Sequence, residues 1–145
     1  MSIFFFTRHK HISSHTAAII SDDLGNAFRI DFTIEGWLVC KVSNLEDHIS
    51  KMSEYRKFEL TIKKGKYDEV WKKIKHFLLS NKTKKYDCKV SNCHGNMNNL
   101  IQEIYFIFEE EELFIVQKAI NENNVKYQLC IDELKKETKS ILTEI

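Results

Sequence analysis

The chain opens on short apolar runs separated by polar turns. Ile3 to Phe6 in "SIFFFT" and Ala17 to Ile20 in "HTAAIIS" are each long enough for one strand and too short for a helix. In "AFRIDFTI" the residues Phe28, Ile30, Phe32 and Ile34 alternate with Arg29, Asp31 and Thr33, the period of a half-buried strand with Arg29 and Asp31 on its polar face. "GWLVCKV" adds a further strand through its aromatic and β-branched content. Between them "DDLGN" supplies the Asp, Gly and Asn of a hairpin turn, which predicts a β-hairpin from His15 to about Ile34 and an antiparallel early sheet.

Beyond Val42 the pattern changes. Asn44 caps a predicted short helix through "LEDHISKM", with Glu46 and Asp47 in the first turn where the helix dipole favours negative charge. "KFELTIK" returns to strand alternation. From Tyr67, the residues Val70, Trp71, Ile74, Phe77 and Leu78 share one helical face and Lys72, Lys73 and Lys75 lie elsewhere, which predicts an amphipathic helix ending near Asn81. After the loop "NKTKK", "YDCKV" reads as a brief extended segment. Ser91 and Asn92 then open a helix bearing Leu100, Ile101, Ile104, Tyr105 and Phe108. Glu109 to Glu112 begin another helical stretch, "EEELFIVQKAI", with a break expected at "NENN". In the tail, Val125, Tyr127, Leu129 and Ile131 alternate like a strand, whereas Leu134, Ile141 and Ile145 sit among the charges of a surface helix; a mostly helical tail is expected.

Composition narrows what such a chain does. Its 145 residues, 43% of them hydrophobic, fit a single domain spanning 1–145 with one core, and no repeat or linker divides it. Basic and acidic residues balance at 22 against 21, so no global field draws the protein to nucleic acid or an anionic membrane. The lysines of "VWKKIKHF" and "NKTKK" read as solvated surface rather than a phosphate site. Ile3 to Phe6 is shorter than a signal-peptide core or a membrane span, and Phe4 to Phe6 are expected in the core. Cys40, Cys88, Cys93 and Cys130 are expected as free thiols in a reducing compartment. His9, His11 and His15 raise a zinc reading, but no Cys-x-x-Cys pair accompanies them, so neither metal nor cofactor is expected.

The residues that could carry chemistry are Cys93, His15 and Asp31. A thiolate is stabilised in the first turn of a helix by free backbone N–H groups and the positive end of the dipole. Ser91 and Asn92 are capping types, so "SNCHGN" presents Cys93 at or near the first helical position, with its own N–H available to an oxyanion; Cys88 lacks that setting. His15 begins an apolar strand just after "ISS", where it projects from a sheet edge toward a packed helix and serves as base. Asp31, on the neighbouring strand of the hairpin, orients the imidazole; Asn26 and Glu35 are the alternatives.

These residues, in this order, resemble the circularly permuted papain-like cysteine enzymes, a group that includes lecithin:retinol acyltransferase and the H-Ras-like suppressor phospholipases and acyltransferases. Two motifs carry the resemblance: "SHTAAIIS", a His leading a small apolar strand and hairpin, and "YDCKVSNCHGN", an Asn-Cys pair opening a helix shortly after a Tyr. The spacer between them reads as strand then amphipathic helix, similar to the family's layout, and the likeness spans roughly residues 13 to 108. It implies an α+β fold of permuted papain-like type, with the nucleophile at a helix N-terminus, and a thiol hydrolase or acyltransferase acting on an amide or ester. The family motif often carries an acidic or polar residue and then His after Asn-Cys, where this chain has His94 and Gly95, and lipid-acting members tend to place an aromatic where Thr16 stands. An acidic orienting residue is closer to the bacterial permuted branch of peptidoglycan amidases and lysine-acylating toxin domains. The implied partner is a peptide, protein or lipid acyl substrate, and the implied setting is the cytoplasm or delivery into another cell as an effector.

Each residue also has a plainer reading. A free Cys is usually a small buried hydrophobe, a lone His a surface or satisfied core residue, and Asp31 a strand-face charge paired with Arg29. On that reading the chain is a non-catalytic interaction module, an inhibitor or adaptor. The two differ in whether Cys93 lies within hydrogen-bond reach of His15 or is buried while His15 points to solvent.

Overall fold

The computed structural model describes residues 1–144, so Ile145 of the predicted tail lies outside the described residues. Five strands, β1 (Ser2–Arg8), β2 (His15–Ser21), β3 (Ala27–Thr33), β4 (Gly36–Val42) and β5 (Arg56–Thr61), form one antiparallel sheet in the order β4-β3-β2-β1-β5. The helices are α1 (Leu45–Ser50), α2 (Tyr67–Ser80), α3 (Cys93–Ile104) and α4 (Glu110–Glu144). The class is therefore α+β.

Sheet register divides the apolar runs between two faces. Phe5 lies opposite Ala18 and Ala18 opposite Ile30, so these residues, with Ile3, Ile20 and Leu60, face the layer of α2, α3 and α4. Phe4, Phe6, Ala17 and Ile19 point the other way, against Val42, Met52 and the flank of α1. A run such as Phe4-Phe5-Phe6 is apolar at every position because both faces of its strand are covered. Each such Phe or Ile contributes about 1.5–3 kcal/mol relative to exposure, so both small layers contribute to stability.

Most predicted elements form, and the differences have local causes. Ile34 leaves the buried face of β3: it sits in the tight turn that Gly36 closes at φ 93°, and it is 85% exposed. "YDCKV" is a turn rather than an extended segment, closed by paired backbone bonds between Asp87 and Ser91 and by the Asp87 carboxylate accepting from the N–H groups of Lys89 and Val90. The third helix stops at Ile104, where the chain tightens into a 3₁₀ turn over Tyr105–Ile107 and leaves Phe108 beyond it.

The expected break at "NENN" is absent. Helix α4 runs through it for 35 residues, roughly 52 Å at 1.5 Å per residue. The three asparagines look outward from the helix to other elements: Asn121 accepts from Asn98, Asn123 donates to Thr7, and Asn124 accepts from Asn92. These bonds offset the modest helix penalty of Asn. The strand-like alternation after Val125 is overridden as well, with Tyr127 buried and Val125 and Leu129 exposed on one helix. No helix among the described residues is long and apolar enough to cross a membrane.

Candidate active site

His15 begins β2, a central strand rather than an edge strand, at the end of the sheet where the N-terminus of α3 arrives. It follows a tight loop in which Ser13 N–H bonds the Lys10 carbonyl and His11 takes φ 52°, a left-handed conformation uncommon for a side chain of that size. In the antiparallel register Asp31 lies opposite Ala17, which puts it on His15's face and diagonal to it, within reach of long side chains. The His15 Nε2 to Asp31 Oδ1 distance is 2.7 Å. Nε2 is thereby committed to the carboxylate, and Nδ1 is the ring nitrogen left for the thiol.

Asp31 is shared. Arg29, two residues earlier on β3, places Nε 2.9 Å from Oδ2 and Nη2 3.1 Å from Oδ1, so one carboxylate holds both an imidazole and a guanidinium. The readings of Asp31 as orienter and as a partner of Arg29 are thus both realised. The alternative orienters are elsewhere: Asn26 is bonded to Asp22 in the turn before β3, and Glu35 is exposed in the turn after it.

Cys93 is the first residue of α3. Asn92 caps the helix, its side-chain oxygen accepting from Gly95 N–H at 2.9 Å, while its carbonyl receives Asn96 N–H. Among the described residues, the N–H groups of Cys93 and His94 are left without a partner, two donors beside the sulfur. The Asn92 amide donates in turn to the Cys88 carbonyl and to Asn124 of α4, locking the cap to its surroundings. The thiol lies 3.9 Å from the Ser14 carbonyl and is 2% exposed.

The electrostatics of the pair are opposed to ordinary behaviour. Burial pushes the Cys93 thiol up, but the nearby imidazoles of His15 and His94 outweigh it and bring it to about 6. For His15, burial works against the cation, and the Asp31 carboxylate bonded to Nε2, with the nearby Cys93 sulfur, overrides it, raising the imidazole to about 9. Asp31 is held below the usual carboxylate range: burial opposes this, and bonds from His15 and Arg29 prevail. Both shifts run in the direction of a thiolate beside an imidazolium near neutral pH.

A cleft of about 260 Å³ reaches both groups, walled by Phe32, Tyr86 and Tyr127 with Ile12 and Ile34 at its mouth. None of its lining residues other than His15 and Cys93 carries charge near neutral pH. The tyrosine hydroxyls meet at 3.3 Å, and burial together with that bond raises the Tyr86 phenol well above the ordinary range.

The remaining cysteines stand apart. Cys40 is exposed on β4, Cys88 lies in the turn before α3, and Cys130 on α4 is 3.8 Å from His9 Nε2. All four are free thiols, and no cluster suited to a metal ion occurs among the described residues. His9 is turned to Ser14 Oγ at 2.6 Å.

Sequence reasoning paired Arg29 with Asp31 but gave no role in the site to His94, Thr16, Tyr86 or Tyr127. His94 was visible as the neighbour of Cys93 in the first helical turn, yet nothing in linear spacing shows it to be fully buried and 2.6 Å from Thr16 Oγ1. Tyr127 comes from α4, far along the chain, and had no local signal. No known protein family, curated protein or solved structure matches this chain.

Proposed function

We propose that the protein is a thiol hydrolase or acyltransferase of permuted papain-like architecture, with Cys93 as nucleophile, His15 as base and acid, and Asp31 as orienting group. The observation that carries this reading is the arrangement at the start of α3: a cysteine at the first helical position, an imidazole lowering its pKa, and a carboxylate 2.7 Å from the other imidazole nitrogen. The architecture is supported by chain order, with the His strand and hairpin preceding a strand, an amphipathic helix and the Asn-Cys helix.

The chemistry follows from those positions. His15 Nδ1 takes the thiol proton, and the sulfur attacks the carbonyl carbon of an ester or amide. The carbonyl π electrons move to oxygen, and that oxyanion faces the free N–H groups of Cys93 and His94. Collapse expels the alcohol or amine with the proton returned by His15, leaving a Cys93 thioester. Water or a second nucleophile, losing its proton to His15, attacks the thioester and restores the thiol. Asp31 keeps the proton of Nε2 in place and favours the imidazolium that forms twice in this cycle.

A second reading rests on one observation, the 2% exposure of Cys93. On it the helix start only packs against the sheet, and the chain is an inhibitor or adaptor. The two are separated by exposing the protein to p-nitrophenyl acetate and reading intact mass after acid quench, with Cys93→Ser alongside. The enzyme reading expects a single acetyl adduct at Cys93 that decays with turnover; an adduct equally abundant in Cys93→Ser, or none, supports the interaction module.

A further inference from the structure

His94 is a second imidazole at the thiol, and its surroundings favour one tautomer. Its Nδ1 lies 2.6 Å from Thr16 Oγ1, Thr16 Oγ1 lies 2.8 Å from Thr7 Oγ1, and Thr7 Oγ1 accepts from the Asn123 amide at 3.0 Å. All three of Thr7, Thr16 and His94 are buried, so each hydroxyl proton needs an acceptor inside the protein. With Asn123 donating to Thr7, one assignment satisfies both hydroxyls: Thr7 donates to Thr16, and Thr16 donates to His94 Nδ1. The ring proton then sits on Nε2. That nitrogen is fully buried and has no hydrogen-bond partner among the described residues, a costly state for a donor unless an acceptor forms beside it. Tyr127 closes the ring's edge at 5.8 Å without accepting from it.

The acceptor at hand is the adjacent sulfur. We infer that His94 donates its Nε2–H to the Cys93 thiolate, with the buried Thr7–Thr16 hydroxyl chain holding the tautomer that makes this donation available. The inference rests on the reading of Cys93 as a thiolate nucleophile. It gives the sulfur two different imidazoles: His15, which exchanges the proton with it, and His94, which donates a hydrogen bond to it. His94 also ties α3 to β2, so the hydroxyl chain joins β1, β2, α3 and α4 around one reactive atom. Other titratable groups near the pair are Tyr55 after α1, Tyr86 in the turn before α3, Tyr127 on α4 and His9 in the loop before β2, and the two histidines beside the sulfur are the ones that draw the thiol down.

The test is the ultraviolet thiolate absorbance of Cys93 followed across pH, with Cys40, Cys88 and Cys130 replaced by Ser. In the otherwise unchanged protein the midpoint is expected near 6. His94→Phe should raise it by about one unit, which is about tenfold less thiolate at pH 5. His94→Gln, which keeps an amide donor, should recover most of that loss. Thr16→Val, which frees Nδ1 to carry the proton instead, should fall between, and Thr16→Ser should match the parent. A midpoint unmoved in His94→Phe while His15→Ala raises it overturns this inference alone; a midpoint unmoved in both overturns the thiolate reading beneath it. Should His94→Phe not fold, Thr16→Val decides, and an unchanged midpoint there contradicts the inference.

Discussion

Helices α1 and α3 begin with the same chemistry and end in different roles. Asn44 and Asn92 each cap their helix through a side-chain oxygen, accepting from Asp47 N–H at 3.0 Å and from Gly95 N–H at 2.9 Å. Helix α1 then offers Glu46 and Asp47 to solvent and has no buried residue. Helix α3 offers Cys93 and His94 to the end of the sheet and buries seven of its twelve residues. The cap alone therefore makes a helix start. The first turns differ in their company: α3 has a thiol in place of carboxylates, two N–H groups without a partner among the described residues, and histidines held by Asp31 and Thr16.

Removing the caps should separate the two helices by stability. Asn92→Ala loses the cap and two further bonds, to the Cys88 carbonyl and to Asn124, both of which then keep only Gln128 as a partner, so a loss of about 2–3 kcal/mol in urea unfolding is expected, with the Cys93 thiol returning toward ordinary reactivity. Equal losses for Asn92→Ala and Asn44→Ala would erase the contrast, since Asn44→Ala at an exposed helix should cost only about 1 kcal/mol and leave Cys93 reactivity unchanged.

Asp31→Asn sharpens the comparison with a smaller effect beside α3, about 1–2 kcal/mol, because it keeps an acceptor for His15 and removes the charge. His15 is raised from 6.5 to about 9 in the folded protein, so its contribution is fully present below pH 6.5 and fades as pH rises through 9. Asp31 is lowered from 3.8, so its own contribution is present above that value and fades as pH falls through its folded pKa. The stability gap between the parent and Asp31→Asn should thus be widest between about pH 4 and 6.5 and should narrow toward pH 9, with the part due to Arg29 persisting. A gap that widens with rising pH would remove His15 from this pair.

The order of strands and helices was legible because local signals and tertiary demands agree there: "DDLGN" turns, Asn44 and Asn92 cap, and Val70, Ile74 and Phe77 face inward. The agreement fails where long-range contacts outweigh local preference. "NENN" stays helical because its asparagines answer Asn98, Thr7 and Asn92, none of them near in sequence. Ile34 reads as core from its period, and a two-residue turn carries it into solvent. The same division holds at the site. His15, Asp31 and Cys93 could be named from strand starts, strand faces and helix caps, but the sharing of Asp31 with Arg29 and the burial of His94 against Thr16 depend on register and on the way α3 meets β2.

The reactivity of Cys93 toward iodoacetamide across pH, with the other three cysteines replaced by Ser, tests the thiolate–imidazolium pair most directly. The expected rate rises through a midpoint near 6, and His15→Ala moves that midpoint toward the ~8.5 of a free thiol, with roughly a hundredfold loss at pH 6. A midpoint near 8.5 in the parent protein, unmoved by His15→Ala, would contradict the pair and leave Cys93 as a packed core cysteine.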